Sequence, residues 1–202
     1  SMSLEAHEER ELAMEGSSNT NELLELFETA VEKMGCGLGR VLDEVDTRVA
    51  VMNTNHSSLG ILFKSPLRPG YVGFGFSYAI PVDIPPGAIQ GVHELVNLMN
   101  IEVDLGRFVF MKKTAEPGAV NRIAWRCEMP VILLGDDGDE FIACTLEAIR
   151  HIFENFYPVI VMFFSGRMRM VSWEGELRFW GLKTTPEEAM RYLVPGSRFG
   201  RA

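Results

Sequence analysis

Three groups of residues in this chain have types and spacings that could support chemistry. The string GCGLGR at 35–40 resembles a phosphate-binding glycine loop, and DDGDE at 136–140 groups four carboxylates that could attract a cation. Cys144 could provide a nucleophilic thiolate. Each group could act in this way only if a particular helix or strand lay beside it. The predicted secondary structure therefore decides whether each group is a functional site or an ordinary part of the fold.

The glycine string follows a helical pattern. A phosphate-binding loop must follow a strand and open a helix, because the helix N-terminus and backbone N–H groups face the phosphates. Residues 35–40 instead follow NTNELLELFETAVEKMG, whose apolar residues recur at helical spacing. We therefore interpret Gly35 as a helix C-cap and the string as an exit turn.

The acidic and histidine residues do not have the spacing of metal ligands. Calcium loops spread their ligands over about twelve residues and close with a glutamate, a ladder that does not follow 136–140. We interpret this stretch as a solvated turn that starts a helix near Asp139. The histidines are scattered and form no metal-ligating pair on one helical face: His7, His56, His93 and His151. We place His93 and His151 on helix surfaces. We predict neither metal nor cofactor.

Two groups could act in catalysis, and each has a simpler interpretation. Cys144 lies in the first turns of the predicted third helix, but no base is placed beside it, so we interpret it as a buried apolar side chain. Glu102 and Asp104 could form an acid/base pair, yet acids between a helix and a strand commonly cap, turn or face water. We predict that the chain is not an enzyme.

The stretch LVNLMNIEVDLGRFVF at 95–110 begins like a helix and ends like a strand. Arg107 could hold this corner by ion pairing with the nearby acids, which we favour, or could serve as a recognition group. Asn97 and Asn100 are predicted to satisfy backbone groups that the abrupt change of geometry leaves unpaired. The junction is then a corner of the fold.

Hydrophobic periodicity predicts an α+β domain with elements in the order α-β-β-β-α-β-β-α. The strands come in hairpin-connected runs, beginning with two short strands around Asp46-Thr47, which favours an antiparallel sheet over a parallel one. Pro158 should kink or break the third helix near Tyr157. A C-terminal hairpin, RMRMVSWEGELRFWG, and a final helix, TTPEEAMRYLV, extend this core.

Aromatic residues supply most of the candidate binding positions. In YVGFGFSYAIPV, at 71–82, alternation predicts one apolar face and one face of small residues. The candidates for partner or ligand binding are Arg107, Trp125, Tyr71, Phe74, Phe76, Tyr78, Trp173 and Trp180.

Composition predicts one domain with extensions. The 202 residues are 47% hydrophobic, and a net charge of -9 argues against nucleic-acid binding unless basic residues cluster on one face. Three cysteines without a Cys-x-x-Cys pair favour a reducing cytoplasm, and the interrupted apolar run 153–164 is too short to span a membrane. We predict an acidic arm at 1–18, a core domain at 19–166, and an extension at 167–202 that docks on this subunit or on a second one.

The order of elements, together with LVNLMNIEVDLGRFVF, resembles the YbjN family of bacterial sensory transduction regulators. The resemblance runs from about Asn19 to about Phe164, and its most specific part pairs Asn97 and Asn100 with Gly106-Arg107-Phe108. It implies a fold like that of type III secretion chaperones, a curved antiparallel sheet with helices packed on one side, commonly dimeric. It implies protein binding or regulation and supplies no catalytic residues.

Two functions remain open at this point. The first is a cytoplasmic, non-enzymatic, chaperone-like protein-binding or regulatory module that forms a homodimer and binds a protein partner. The 11 methionines and 13 phenylalanines favour it, because thioethers and aromatic rings suit adaptable contact surfaces. The alternative is a small-molecule sensor with a pocket between sheet and helices, on the side of Gly73, Gly75 and Ser77.

Overall fold

A computed structural model describes residues 22–65, 73–80, 84, 89–131, 134, 136–164, 169–173 and 176–180. Helix α1 covers residues 22–33 of this part. The other elements are β1 (Gly37–Arg40), β2 (Thr47–Asn53), β3 (Ser58–Lys64), β4 (Gly73–Ala79), α2 (Ile89–Glu102), β5 (Arg107–Met111), β6 (Arg122–Pro130), α3 (Gly138–Phe164), β7 (Arg169–Trp173) and β8 (Glu176–Trp180).

Strands β1 to β6 form one open antiparallel sheet in the order β1-β2-β3-β4-β6-β5, so β1 and β5 are its edges. Together with the three helices, this sheet confirms the predicted α+β class. Strands β7 and β8 pair with each other as a separate antiparallel sheet, which confirms the C-terminal hairpin. The predicted arm at 1–18 and the final helix lie outside the described residues.

The sheet has four strands before α2. The first of them, β1, lies within the string interpreted as an exit turn, and only the first glycine of that string, Gly35, takes the left-handed conformation of a C-cap, with φ 68°. The remaining glycines belong to β1, where Gly37 pairs with Val51 and Gly39 with Val49. The predicted first strand was therefore placed too late in the chain.

Of the predicted kink or break at Pro158, the break does not occur, because helix α3 continues from Gly138 to Phe164. Pro158 lacks the N–H that would bond to the carbonyl of Glu154 four residues earlier. Buried residues on both sides of the proline, Phe153, Tyr157, Ile160 and Val161, attach this part of the helix to the protein interior. Packing therefore outweighs the cost of one missing hydrogen bond.

The chain divides into two compact units. The first unit comprises the described residues of 22–53, 58–76 and 128–148. Its core is aromatic: Phe27 of α1 stacks on Phe63 of β3, and Phe63 contacts Phe74 and Phe76 of β4 at ring-centroid distances of 5.6 and 5.3 Å. All four rings are at most 1% exposed. Helix α1 thus lies against the apolar face of β3.

The second unit comprises the described residues of 54–57, 77–127 and from 149 onward. Alternate residues of β5 face helices: Phe108 contacts Phe156 of α3, and Phe110 contacts His93 of α2. Because these two phenylalanines lie on one face of the strand, α2 and α3 pack on the same side of β5. The backbone of β8 lies within 8 Å of α2. None of the described helices is both long enough and apolar enough to cross a membrane.

Candidate functional site

The corner between α2 and β5 depends on Gly106. Its φ is +69°, and a Cβ at this position would lie 2.4 Å from the Trp125 ring and 2.6 Å from the Arg126 carbonyl oxygen. The Trp125 indole also donates a 2.9 Å hydrogen bond from Nε1 to the carbonyl oxygen of Leu105. Glycine is therefore required for the turn, and Trp125 holds the turn from inside the protein.

Asn100 completes this corner. Its Nδ2 donates to the Phe108 carbonyl oxygen at 2.9 Å, and its Oδ1 accepts from the Phe108 N–H at 2.7 Å. The Asn100 amide thus makes the hydrogen bonds that a neighbouring strand would otherwise make to this part of the β5 edge. The predicted role is thus confirmed for Asn100, whereas Asn97 is exposed and its side chain has no hydrogen bond within the described part of the chain.

Arg107 does not hold the corner by ion pairing, contrary to the prediction. It is exposed and makes no ion pair with any described residue, Glu102 and Asp104 included. It lies directly opposite Arg126 in the β5–β6 ladder. The steric fit of Gly106 against Trp125 and the hydrogen bonds of the Asn100 amide define the corner. The Arg107 guanidinium is exposed to solvent.

Four of the aromatic candidates lie inside the protein. In the first unit, Phe74 and Phe76 are in edge contact at 5.7 Å; in the second, Tyr78 stacks on Trp125 at 5.5 Å. All four are at most 1% exposed, and burial raises the pKa of Tyr78, which keeps its phenol neutral. They could meet only a ligand enclosed in the interior. Nothing is described of the side chains of the remaining candidates, Tyr71, Trp173 and Trp180.

His56, to which sequence analysis assigned no role, is bound to α3. Its Nε2 lies 2.8 Å from the carbonyl oxygen of Glu154, the acceptor that Pro158 leaves without its helical donor. Because a carbonyl only accepts, Nε2 carries the hydrogen. The Asn55 N–H donates to Glu154 Oε1 at 3.1 Å, so the β2–β3 turn is attached to α3 at two points. The sequence contained a signal for this contact: Pro158, four residues after Glu154, cannot donate to the Glu154 carbonyl and so indicates that this carbonyl needs another donor.

Three buried polar atoms of the second unit have no hydrogen-bond partner among the described residues: His56 Nδ1, Ser57 Oγ and Tyr78 OH. Two of them belong to rings around Phe153, which lies 6.3 Å from the His56 ring and 5.7 Å from the Tyr78 ring. Unpaired buried polar groups are uncommon, because each costs about 1–3 kcal/mol. This part of the interior could accept hydrogen bonds from, or donate them to, a small polar molecule.

Exposed apolar side chains concentrate around β1. Among the described residues, six large hydrophobic side chains are exposed, and four of them lie between residues 38 and 51. We call these four the β1 rim: Leu38, Leu42, Val45 and Val51, of which Leu42 is 90% and Val45 87% exposed. Within the described sheet β1 has a neighbour only in β2, so the rim lies beside an edge with unpaired backbone groups.

Cys144 is exposed on α3, which corrects its predicted burial, because that position lies on the polar side of the helix beside buried Thr145 and Leu146. Among the described residues, no group of three or more His, Cys, Asp or Glu side chains could hold a metal ion.

No protein-family model, curated protein or solved structure matches this chain. The resemblance to the YbjN family therefore stays a prediction from the sequence.

Proposed function

We propose that the chain is a non-enzymatic, chaperone-like protein-binding or regulatory module that acts as a cytoplasmic homodimer. The observation that carries the proposal is the β1 rim. Leu42 and Val45 are almost fully exposed, and apolar side chains in such a position gain free energy when a partner covers them.

The geometry of β1 favours a second copy as that partner. An edge strand offers backbone N–H and C=O groups, and two copies of one strand can pair antiparallel around a twofold axis. Gly37 and Gly39 carry no side chain that would obstruct the approach. The other edge is less suited, because Asn100 already binds the backbone of Phe108 there.

The predicted resemblance to the YbjN family supports the same function. That resemblance implies a secretion-chaperone-like domain that is commonly dimeric, and the open antiparallel sheet with three helices is compatible with it. Membership of the family and the identity of a further protein partner are part of the proposal.

Sedimentation equilibrium tests the dimer. At tens of micromolar we expect the unmodified chain to be dimeric and the double variant Leu42→Glu/Val45→Glu to be monomeric, because charges on the rim would have to be desolvated. Ile101→Glu is the control, since Ile101 is also exposed, at 55%, but lies outside the rim. A monomeric unmodified chain, or a rim variant that still dimerises, would contradict the proposal.

A small-molecule sensor is the second candidate, supported by His56 Nδ1, Ser57 Oγ and Tyr78 OH, which have no partner in the described part of the chain. Native mass spectrometry of freshly purified protein is its test. A bound species of constant mass that is lost in Tyr78→Phe would favour the sensor, whereas the bare mass of the chain would count against it.

A further inference from the structure

The hydrogen bonds at the two ends of β2 show which of its residues bond to β3. Just before β2, the Ser65 N–H donates to the Asp46 carbonyl at 3.1 Å. Just after β2, the Thr54 N–H donates to the Ser57 carbonyl at 3.0 Å. Both bonds fall in the β2–β3 register, so the even-numbered residues of β2 direct their backbone N–H and C=O groups toward β3. The odd-numbered residues of β2 direct theirs toward β1.

The edge of β1 presents the backbone groups of only two residues. Gly37 and Gly39 lie opposite odd-numbered residues of β2 and therefore direct their N–H and C=O groups toward that strand. Leu38 and Arg40 direct theirs away from β2, on the side where the described sheet has no further strand. Their two N–H and two C=O groups are the ones that another strand would bind at this edge.

Two antiparallel copies of β1 can join these groups around a twofold axis beside Leu38, Gly39 or Arg40. An axis at Leu38 pairs Arg40 with Cys36 of the other copy. The Cys36 N–H already bonds to the Val31 carbonyl at 3.1 Å, so that pair would lack one hydrogen bond. An axis at Arg40 places the two arginines directly opposite each other, and like charges in that position are destabilising. Neither of these two registers suits the sequence.

An axis at Gly39 joins every one of the edge groups. Leu38 of each copy then lies opposite Arg40 of the other, and the two residues of each such pair exchange two hydrogen bonds. The two Gly39 residues face each other as a pair without hydrogen bonds, and the Cα atoms of such pairs approach to about 4.5 Å. Glycine suits the axis because it brings no side chain into this close contact.

The side chains on the helix side of β1 agree with this register. Arg40 lies 3.5 Å from Glu28 of α1, and this carboxylate offsets its charge within the same copy. Leu38 lies on the same face, because it is two residues from Arg40. Leu38 is 46% exposed, and the aliphatic stem of Arg40 from the second copy would cover it. Since the paired strands run in opposite directions, the turn that carries Leu42 lies beside the α1–β1 connection of the other copy.

From this pattern of backbone groups we propose that two copies pair through β1 with Gly39 on the twofold axis, which joins their sheets into one continuous sheet. The inference rests on the proposed homodimer and adds the strand register and the residue at the axis. A second copy is the occupant that fits this edge, since each copy supplies one member of both Leu38–Arg40 pairs. Because the axis is perpendicular to the sheet, α1 lies on the same side of the sheet in both copies.

Disulfide cross-linking tests the register. Gly39→Cys, Leu38→Cys and Arg40→Cys are made separately in a full chain that also carries Cys36→Ser and Cys144→Ser, and each protein is oxidised mildly. We expect covalent dimers from Gly39→Cys alone, because disulfides join Cα atoms about 4.4–6.8 Å apart and only the residue at the axis lies opposite its own copy. The strand accepts this cysteine, since a Cβ at that position would lie 3.4 Å from the nearest atom of β2.

Hydrogen exchange tests the same pairing without a substitution in β1. The Leu38 and Arg40 amides should exchange at least about tenfold more slowly in the dimeric unmodified chain than in the monomeric double variant of the β1 rim. The Gly37 and Gly39 amides are the internal control. They bond to β2 in both proteins, so their exchange rates should differ far less.

Three results would overturn the inference. They are the absence of cross-linking at residue 39, equal cross-linking at all three positions, and equal exchange of the Leu38 and Arg40 amides in the dimer and in the monomer. The homodimer itself fails separately. An unmodified chain that sediments as a monomer contradicts both proposals, whereas a dimer that gives any of the three results contradicts only this inference.

Discussion

Gly106 and Asn100 are the two residues on which the corner between α2 and β5 depends. The glycine allows the chain to turn against the Trp125 ring, and the asparagine amide satisfies both backbone groups of Phe108. Neither role involves a partner, so substitutions at these positions should change stability before they change binding.

Replacing Gly106 with alanine should destabilise the protein by roughly 2–4 kcal/mol, the sum of a left-handed backbone and an overpacked ring. Urea unfolding measures the effect. Gly118→Ala is the matched control, because Gly118 also has a positive φ, +80°, but open space around it, and should cost about 1 kcal/mol. Equal costs at the two glycines would show that Trp125 does not restrict the corner.

Asn100→Ala should destabilise by about 1–3 kcal/mol, because two hydrogen bonds to the Phe108 backbone are lost. Hydrogen exchange should locate the effect at the Phe108 amide. Asn97→Ala, one turn earlier on the same helix and exposed, should leave both the stability and that exchange rate unchanged. Slow exchange of Phe108 in Asn100→Ala would refute the role of the amide.

At the scale of elements, contacts between distant segments compensate for local defects. The Glu154 carbonyl that Pro158 leaves without its helical donor is bound by His56 on the β2–β3 turn, 98 residues from Glu154 in sequence. A second such contact, the Lys33–Asp139 ion pair, joins α1 to the first turn of α3 in the first unit.

A double-mutant cycle tests the pairing of His56 with the Glu154 carbonyl. His56→Phe preserves a ring beside Phe153 and Tyr157 but removes the donor, and should cost about 1–3 kcal/mol. In a Pro158→Ala background the helix supplies its own N–H to that carbonyl, so the same change should cost about 1 kcal/mol less. Additive costs would mean that the histidine does not compensate for the proline.

The Lys33–Asp139 pair should make stability fall in acid. The Lys33 hydrogen bond holds the pKa of Asp139 below its ordinary value of 3.8. Its stabilising contribution is therefore complete above that value and is lost as the pH falls through the lowered pKa. Chemical unfolding at neutral and acid pH should show a smaller decrease for Asp139→Asn than for the unmodified chain. Identical pH dependence in the two proteins would exclude a contribution of the pair.

At the scale of the whole molecule, an open sheet leaves two edges that need protection. Asn100 binds the edge at β5, whereas β1 carries exposed apolar residues, and this asymmetry underlies the proposed dimer. The C-terminal hairpin adds a further element, because β8 lies beside α2.

Truncation after Gly166 removes β7 and β8 and should uncover part of α2. We expect stronger binding of a hydrophobic dye and a melting temperature lower by about 4 °C or more. Truncation after Gly181 keeps both strands and is the control. A chain ending at Gly166 that is as soluble and heat-resistant as the full chain would refute the docking of this extension.

Local periodicity was sufficient to predict the α+β class, the C-terminal hairpin and the role of Asn100. In β4 the predicted apolar face, Phe74, Phe76 and Tyr78, is buried, but Gly73 and Gly75 on the other face are buried as well and only Ala79 is exposed. Such features depend on residues a few positions apart, which a sequence displays directly. Arg107 was expected to pair with the nearby acids, but ion pairing depends on where side chains point after the chain turns at Gly106.

The sequence by itself determined where apolar faces form, because the periods of strands and helices are visible in the order of the residues. Only the tertiary structure decided that α3 continues through Pro158, that His56 binds the Glu154 carbonyl, and that Arg107 and Arg126 stand side by side. These outcomes depend on segments distant in sequence. Their free energies come from packing and strand register, which no local pattern encodes.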